Sequence, residues 1–179
     1  LEPVVEENLV RHIGLFKDWM PHDYIPWSQG RDYAFLGGED WVPEDSPLDE
    51  VAKTAIVVNL LTEDNLPSYH REIATAFGRD GAWGEWVGRW TAEEGRHSIA
   101  LRDYLVVTRG VDPVKLENLR MEHMTAGYDS GEKTMLQAIA YVSFQELATR
   151  VSHRNTGRAA NCPIADQLLA RIAADENLH

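Results

Sequence analysis

The sequence predicts an all-α fold, a four-helix bundle behind an N-terminal extension. Three observations predict it. Apolar residues recur at helical spacing through most of the chain. Few stretches alternate with period two, and β-branched residues do not gather between turn signals. Four glutamates and two histidines stand at matched heights on four of the helical segments. With 179 residues, the chain suits one domain with a sizeable core. We expect residues 1–46 to form the extension and residues 47–179 the four-helix core.

Residues 1–20 read as a short helix with Leu9, Ile13 and Phe16 on one face. Residues 21–46 hold Pro21, Pro26, Pro43 and the Gly37-Gly38 pair, so an irregular loop is expected. Its aromatics, Trp27, Tyr33, Phe35 and Trp41, should anchor it to the core. Ser46-Pro47-Leu48-Asp49 reads as a helix start, with a capping hydroxyl, a first-turn proline and an acid. That helix should reach about Phe77, kinked by Pro67. A second is expected over Gly84 to Val107, then a short helix and loop over 111–130. A third spans about Lys133 to His153, with Asn155-Thr156-Gly157 interrupting the pattern. A fourth starts at Pro163, weakly capped by Cys162 or Asn161, and is expected still to run at His179.

The net charge of −12, with no run rich in lysine or arginine, argues against nucleic acid as a partner. A single cysteine, Cys162, allows no intramolecular disulfide and points to a reducing, cytoplasmic setting. No apolar run approaches the length of a membrane span, and no leader pattern is present. The chain begins at Leu1 and stops at His179, so both ends are expected to be incomplete, with a C-terminal part of the fold missing.

Two of the seven histidines follow a glutamate by three residues: Glu94-Gly95-Arg96-His97 and Glu176-Asn177-Leu178-His179. On a helix, such a pair shares a face and both side chains reach one point beside it. Glu63 lies 31 residues before Glu94, and Glu146 lies 30 before Glu176. The result is a pseudo-repeat of a lone Glu, one helical hairpin, then Glu-x-x-His. Each acid sits on an apolar stripe, beside Ile56 and Leu60, Trp86, Trp90 and Leu101, Ile139 and Val142, or Leu168, Leu169, Ile172 and Ala173. Four buried carboxylates would repel one another and take up protons. Two divalent cations would balance them. Mixed carboxylate and imidazole ligation suits iron or manganese, and this ligand set is that of carboxylate-bridged di-metal bundles.

The four motifs have more specific surroundings. Thr62-Glu63-Asp64-Asn65-Leu66-Pro67-Ser68-Tyr69, Trp90-Thr91-Ala92-Glu93-Glu94-Gly95-Arg96-His97, Phe144-Gln145-Glu146-Leu147-Ala148-Thr149 and Ala173-Ala174-Asp175-Glu176-Asn177-Leu178-His179 resemble, in order, the metal-site motifs of the soluble acyl-acyl-carrier-protein desaturases. The resemblance extends to Trp19-Met20-Pro21-His22-Asp23-Tyr24. It implies a ferritin-like di-iron bundle that uses O2 to desaturate a fatty-acyl chain on acyl carrier protein. Electrons would come from a ferredoxin-type donor, and the protein would be a homodimer. It also implies two ferrous ions, replaceable by manganese or another divalent ion. Glu94 and Glu176 would bridge them, Glu63 with His97 and Glu146 with His179 completing the two ends. Thr149 matches a threonine on the oxygen side, though a threonine bonded back to its own helix is an equal reading. Asp175 would accept the second ring proton of a metal-bound histidine and join Trp19 and His97 in an electron route.

The chain departs from the family at Gly95 and Ser98, and Gly95 is expected to loosen its helix. His70 and His153 lie seven residues past Glu63 and Glu146 and are candidates to support the ligands. A ligand at the chain end, His179, is expected to be poorly held. Trp86, Trp90, Met135, Ile139 and Val142 are candidate channel walls, each an equally good core residue. Arg71, Arg150, Arg154 and Arg158 are candidates for a patch that receives the acidic carrier protein. The rival reading is a ferritin-like iron-binding ferroxidase, which shares the six ligands.

Overall fold

The computed structural model describes residues 1–129 and 131–179. Seven α-helices and four short 3-10 turns account for the regular structure, with no strand among the described residues, so the all-α expectation holds. Helix α1 (Glu2–Leu15) starts with Pro3 in its first turn and buries Leu9 and His12. The chain then turns through Pro21–Tyr24, Trp27–Gln29, Ala34–Leu36 and Pro43–Asp45. Two of these turns begin on proline, whose fixed φ suits a turn start.

The loop is anchored by fewer aromatics than expected. The Tyr33 hydroxyl donates to the Val106 carbonyl, and the Trp41 indole donates to the Arg109 carbonyl. Phe35, however, is 98% exposed and Trp27 is 52% exposed. The anchors that replace them are Trp19 and Ile25, both buried, and the ion pair of Asp45 with Arg109 at 2.9 Å. A ring with a polar handle satisfies a free helix-end carbonyl, and Phe35 has no such handle.

Helix α2 (Glu50–Asp64) is capped by the Asp49 carboxylate, which accepts from the Ala52 amide. Ser46, expected as the cap, instead donates to the Gly110 carbonyl at 2.7 Å. Pro67 does more than kink the segment. It lacks the amide that would bond the Glu63 carbonyl, and the helix breaks at Asn65 before α3 (Leu66–Phe77) begins. Asp64, buried at the break, is held by a two-pronged ion pair from Arg120 of α5 (Pro113–Ala126) at 2.5 and 3.0 Å. Helix α4 (Gly81–Val107) runs through Gly95 without interruption. Ser130, the last residue of the loop expected over 111–130, lies outside the described residues.

Helix α6 (Met135–Ala159) opens on a reciprocal cap between Thr134 and Gln137 and continues through Asn155-Thr156-Gly157, contrary to expectation. Gly157 marks a close approach. A Cβ there would lie 3.2 Å from Leu169 Cβ and 3.0 Å from an Asp166 oxygen. Those atoms belong to α7 (Pro163–Glu176), which packs extensively against α6. Cys162 precedes α7 without a side-chain cap, and the helix ends at Glu176, three residues short of the expected end. Helices α2, α4, α6 and α7 surround a core of Ile56, Leu60, Leu101, Leu105, Leu168 and Ile172. The outer face of α6 leaves Leu136, Phe144, Leu147 and Val151 exposed.

The Gly157 contact is testable. Replacing Gly157 with Leu should destabilise the chain by about 1–3 kcal/mol, because the added carbons have no room against α7. Leucine is a better helix former than glycine, so a loss here would come from packing rather than from the helix itself. The thermal midpoint followed by circular dichroism measures it.

Candidate di-metal centre

The structure brings all six sequence-derived ligand candidates together. Glu63 is the second-last residue of α2, and Glu94 and His97 share a face of α4. Glu146 lies midway along α6, and Glu176 ends α7. His179 lies beyond the helix, yet its ring is fully buried. The Leu178 and His179 amides donate to the Asp175 carbonyl at 2.7 and 3.1 Å, which keeps the Glu-x-x-His geometry past the helix end. Glu63, Glu94, His97 and Glu176 offer ligand atoms within 4.8 Å of one another, as do Glu94, Glu146, Glu176 and His179. Glu94 and Glu176 are common to both groups.

Both histidines present Nδ1 inward. His97 Nδ1 lies 3.0 Å from Glu94, 3.2 Å from Glu176 and 3.5 Å from Glu63. His179 Nδ1 lies 2.6 Å from Glu94 and 3.5 Å from Glu146. Each Nε2 points outward to a carboxylate from the opposite hairpin. Asp175 Oδ2 accepts from Trp19 Nε1 at 2.6 Å and from His97 Nε2 at 3.4 Å, while Arg171 pairs with its other oxygen. Glu93 Oε2 accepts from His12 Nε2 at 2.9 Å and from His179 Nε2 at 3.2 Å, while Arg89 pairs with its other oxygen.

The pseudo-repeat is therefore deeper than the ligand motif. Arg89-x-x-x-Glu93-Glu94-x-x-His97 matches Arg171-x-x-x-Asp175-Glu176-x-x-His179. Glu93, Arg89, Arg171 and His12 were missed from sequence. The first three were readable, as an acid directly before each Glu-x-x-His and an arginine four residues before that acid. His12 was not, because no sequence spacing links it to α4. His153 Nε2 donates to Glu63 Oε1 at 2.9 Å, and Trp90 Nε1 donates to Glu146 Oε1 at 3.2 Å. His70 pairs with the Thr91 hydroxyl instead of reaching the six.

The site's electrostatics follow from burial and crowding. Burial pushes Glu63 up, but hydrogen bonds from His153 and His97 outweigh it and bring the carboxyl down to about 2. Burial and then the charges of Glu94 and Glu176 push Glu146 up, against the pull of His179. Burial disfavours the charged form of His97 and His179, yet Glu94 above all, with the other carboxylates, drives both well up. Without a cation, these shifts favour protons on both rings and on Glu146. Glu176 Oε1 and His179 Nδ1 are nevertheless buried with only charge contacts, to His97 at 3.2 Å and to Glu94 at 2.6 Å, and without hydrogen-bond geometry. Buried ligand atoms that lack hydrogen-bond geometry amid a ring of carboxylates fit cations better than protons.

Thr149 faces the site in both expected ways. Its hydroxyl contacts the Gln145 and Glu146 carbonyls of its own helix and the Glu176 carboxylate. It also lines a cavity of about 40 Å³ with Glu63, Glu94, Glu146 and Glu176. Two larger cavities, of about 160 and 360 Å³, share Ile73, Phe77, Trp90, Val142 and Glu146 as lining. Of the channel candidates, Trp86, Trp90, Ile139 and Val142 line one or both, whereas Met135 is exposed. A surface groove of about 570 Å³ gathers Lys17, Arg150, Arg154, Arg158 and Arg171. Arg71 lies away from it on α3, beside Glu72.

Two outcomes are expected. Binding of divalent metal must displace protons from His97, His179 and Glu146, so affinity should rise with pH and protons should be released, as a weakly buffered titration measures. Asp175→Asn should weaken metal binding about 10–100-fold by loosening His97.

The fatty acid desaturase family model matches residues 1–179. Among curated relatives, a Mycobacterium tuberculosis protein described as the acyl-[acyl-carrier-protein] desaturase DesA1 is 63% identical, covering 100% of this chain and 55% of that protein. The seed-specific, chloroplastic stearoyl-[acyl-carrier-protein] 9-desaturase of Brassica napus is 36% identical, covering 100% of this chain and 48% of its own length. The X-ray structure of the acyl-ACP desaturase DesA2 from Mycobacterium tuberculosis superposes with a TM-score of 0.76 at 38% identity. It covers 100% of this chain and 64% of that one. The chain thus spans between about half and two thirds of the length of these relatives.

Proposed function

Because this chain belongs to the fatty acid desaturase family, we propose that it carries the di-iron centre of an enzyme that desaturates a fatty-acyl chain held on acyl carrier protein. The observation that carries the reading is the pair of overlapping ligand groups, sharing Glu94 and Glu176, beside apolar cavities that reach Glu146. Oxygen- and nitrogen-donor ligands without thiolate favour iron or manganese. The six residues would be the ligands, Glu94 and Glu176 bridging. When bound, two ferrous ions would supply O2-activating redox chemistry that removes two hydrogens from neighbouring carbons. The balanced change is R–CH2–CH2–R′ + O2 + 2 e⁻ + 2 H⁺ to R–CH=CH–R′ + 2 H2O.

The protein's own groups then have defined tasks. The walls shared by the two larger cavities, Ile73, Phe77, Trp90 and Val142, would hold the acyl chain and exclude water. The Trp90 indole fixes the Glu146 carboxylate that borders those cavities. Thr149 can place its single hydroxyl proton on Glu176, which makes it the candidate proton carrier at the small cavity. Asp175 orients His97, and with Trp19 it forms a hydrogen-bonded line that would serve a ferredoxin-type donor. The five-cation groove would receive the acidic carrier protein, and a second copy in a homodimer would cover the apolar face of α6. The ferritin-like rival has less support, since the N-terminal extension is built into the centre through Trp19 and His12.

Incubation with an acyl-[acyl carrier protein], ferredoxin, reductant and O2 should shift the acyl mass down by two units, read by mass spectrometry. An unchanged mass with two irons bound would remove the desaturase assignment. The double substitution Arg150→Glu with Arg158→Glu should raise the apparent KM several-fold, more at low salt, with metal content unchanged.

A further inference from the structure

The two outward imidazole nitrogens are treated alike by α4 and α7 but differently by the N-terminal extension. Asp175 receives the indole of Trp19, a single donor. Glu93 receives His12, which has a second ring nitrogen, and that nitrogen lies 3.2 Å from the Leu178 carbonyl. Both atoms facing His12 are acceptors. One belongs to the carboxylate that meets His179 Nε2, and the other to the residue directly before His179.

This double grip falls where the centre is least supported by regular structure. His97 sits in mid-helix, within an unbroken run of α4. His179 lies past the last residue of α7, with only the Asp175 carbonyl holding its backbone amide. His12 itself is buried, with its ring 5.1 Å from Trp86 at 84° and 5.9 Å from His179. Such a buried polar ring is costly unless it is hydrogen-bonded, and each nitrogen lies within hydrogen-bond distance of an atom that places His179.

We propose that His12 is a positioning residue for the Glu94–Glu146–Glu176–His179 metal site. Through Glu93 and the Leu178 carbonyl, it makes ion binding there depend on the docking of α1. The other site, served by Trp19 and Asp175, has no such dependence on α1. This rests on the di-metal reading of the centre.

The test is a Co²⁺ titration of the full chain, followed by ligand-field absorption and by metal per chain. Wild type should bind two ions. His12→Phe, which keeps a ring against Trp86 but no donor, should leave one ion unaffected and weaken the other about 10–100-fold. His12→Gln, which keeps an N–H donor, should recover much of the loss. Undiminished binding of both ions in His12→Phe overturns the inference, as does equal weakening of both. A His12→Gln protein no better than His12→Phe also overturns it, since ring packing would then be the cause. If either variant fails to fold, Glu93→Gln tests the same link, and retention of both ions in it overturns the proposal. Wild-type protein that takes up no Co²⁺ would overturn the di-metal reading together with this one.

Discussion

Four glutamates converge in two overlapping clusters, each with its ligand atoms within 4.8 Å of one another, and their mutual repulsion must be met by positive charge. Everything around them answers that requirement. Two imidazoles enter the cluster from opposite hairpins, and His153 adds a third ring against Glu63. The carboxyls do not share the load equally. Glu63 is held ionised by its two histidines, while Glu146 is pushed toward protonation by burial and its neighbours. A cluster balanced by protons alone still leaves Glu176 Oε1 and His179 Nδ1 buried without hydrogen-bond geometry. Cations satisfy both needs at once.

The same constraint organises the outer layer. An imidazole that offers Nδ1 inward needs an acceptor for its other nitrogen, or its orientation is free. Each hairpin lends that acceptor to the histidine of the other, Glu93 to His179 and Asp175 to His97. The exchange locks α4 to α7 across the bundle. Each outer carboxylate is then buried and in turn needs partners, supplied by an arginine one turn earlier and by a ring from the N-terminal extension. The extension is thereby part of the centre, although it contributes no ligand candidate.

The sequence was most legible where local rules dominate. Helix periodicity placed the four core helices, and the spacing of acids and histidines found the six residues that meet. It was least legible where one segment's conformation depends on another's surface. The helix through Gly157 looked broken because glycine is a poor helix former, yet glycine is there to let α7 approach. Phe35 looked like an anchor because it is aromatic, yet the anchors are Tyr33 and Trp41, whose polar atoms find helix-end carbonyls. Ser46 looked like a cap, and the next acid along took that role while the serine closed a distant turn.

By itself the sequence determined the helices, the pairing of hairpins and the chemistry of the cluster, because these depend on periodicity, charge and residue type within one or two turns. Only the tertiary structure decided which carboxylate serves which imidazole, that Glu93 and His12 belong to the centre, and that His179 is buried beyond the end of its helix. Those outcomes depend on which faces meet across the bundle. Residues 81 positions apart, such as His12 and Glu93, acquire a relation only when α1 packs on α4.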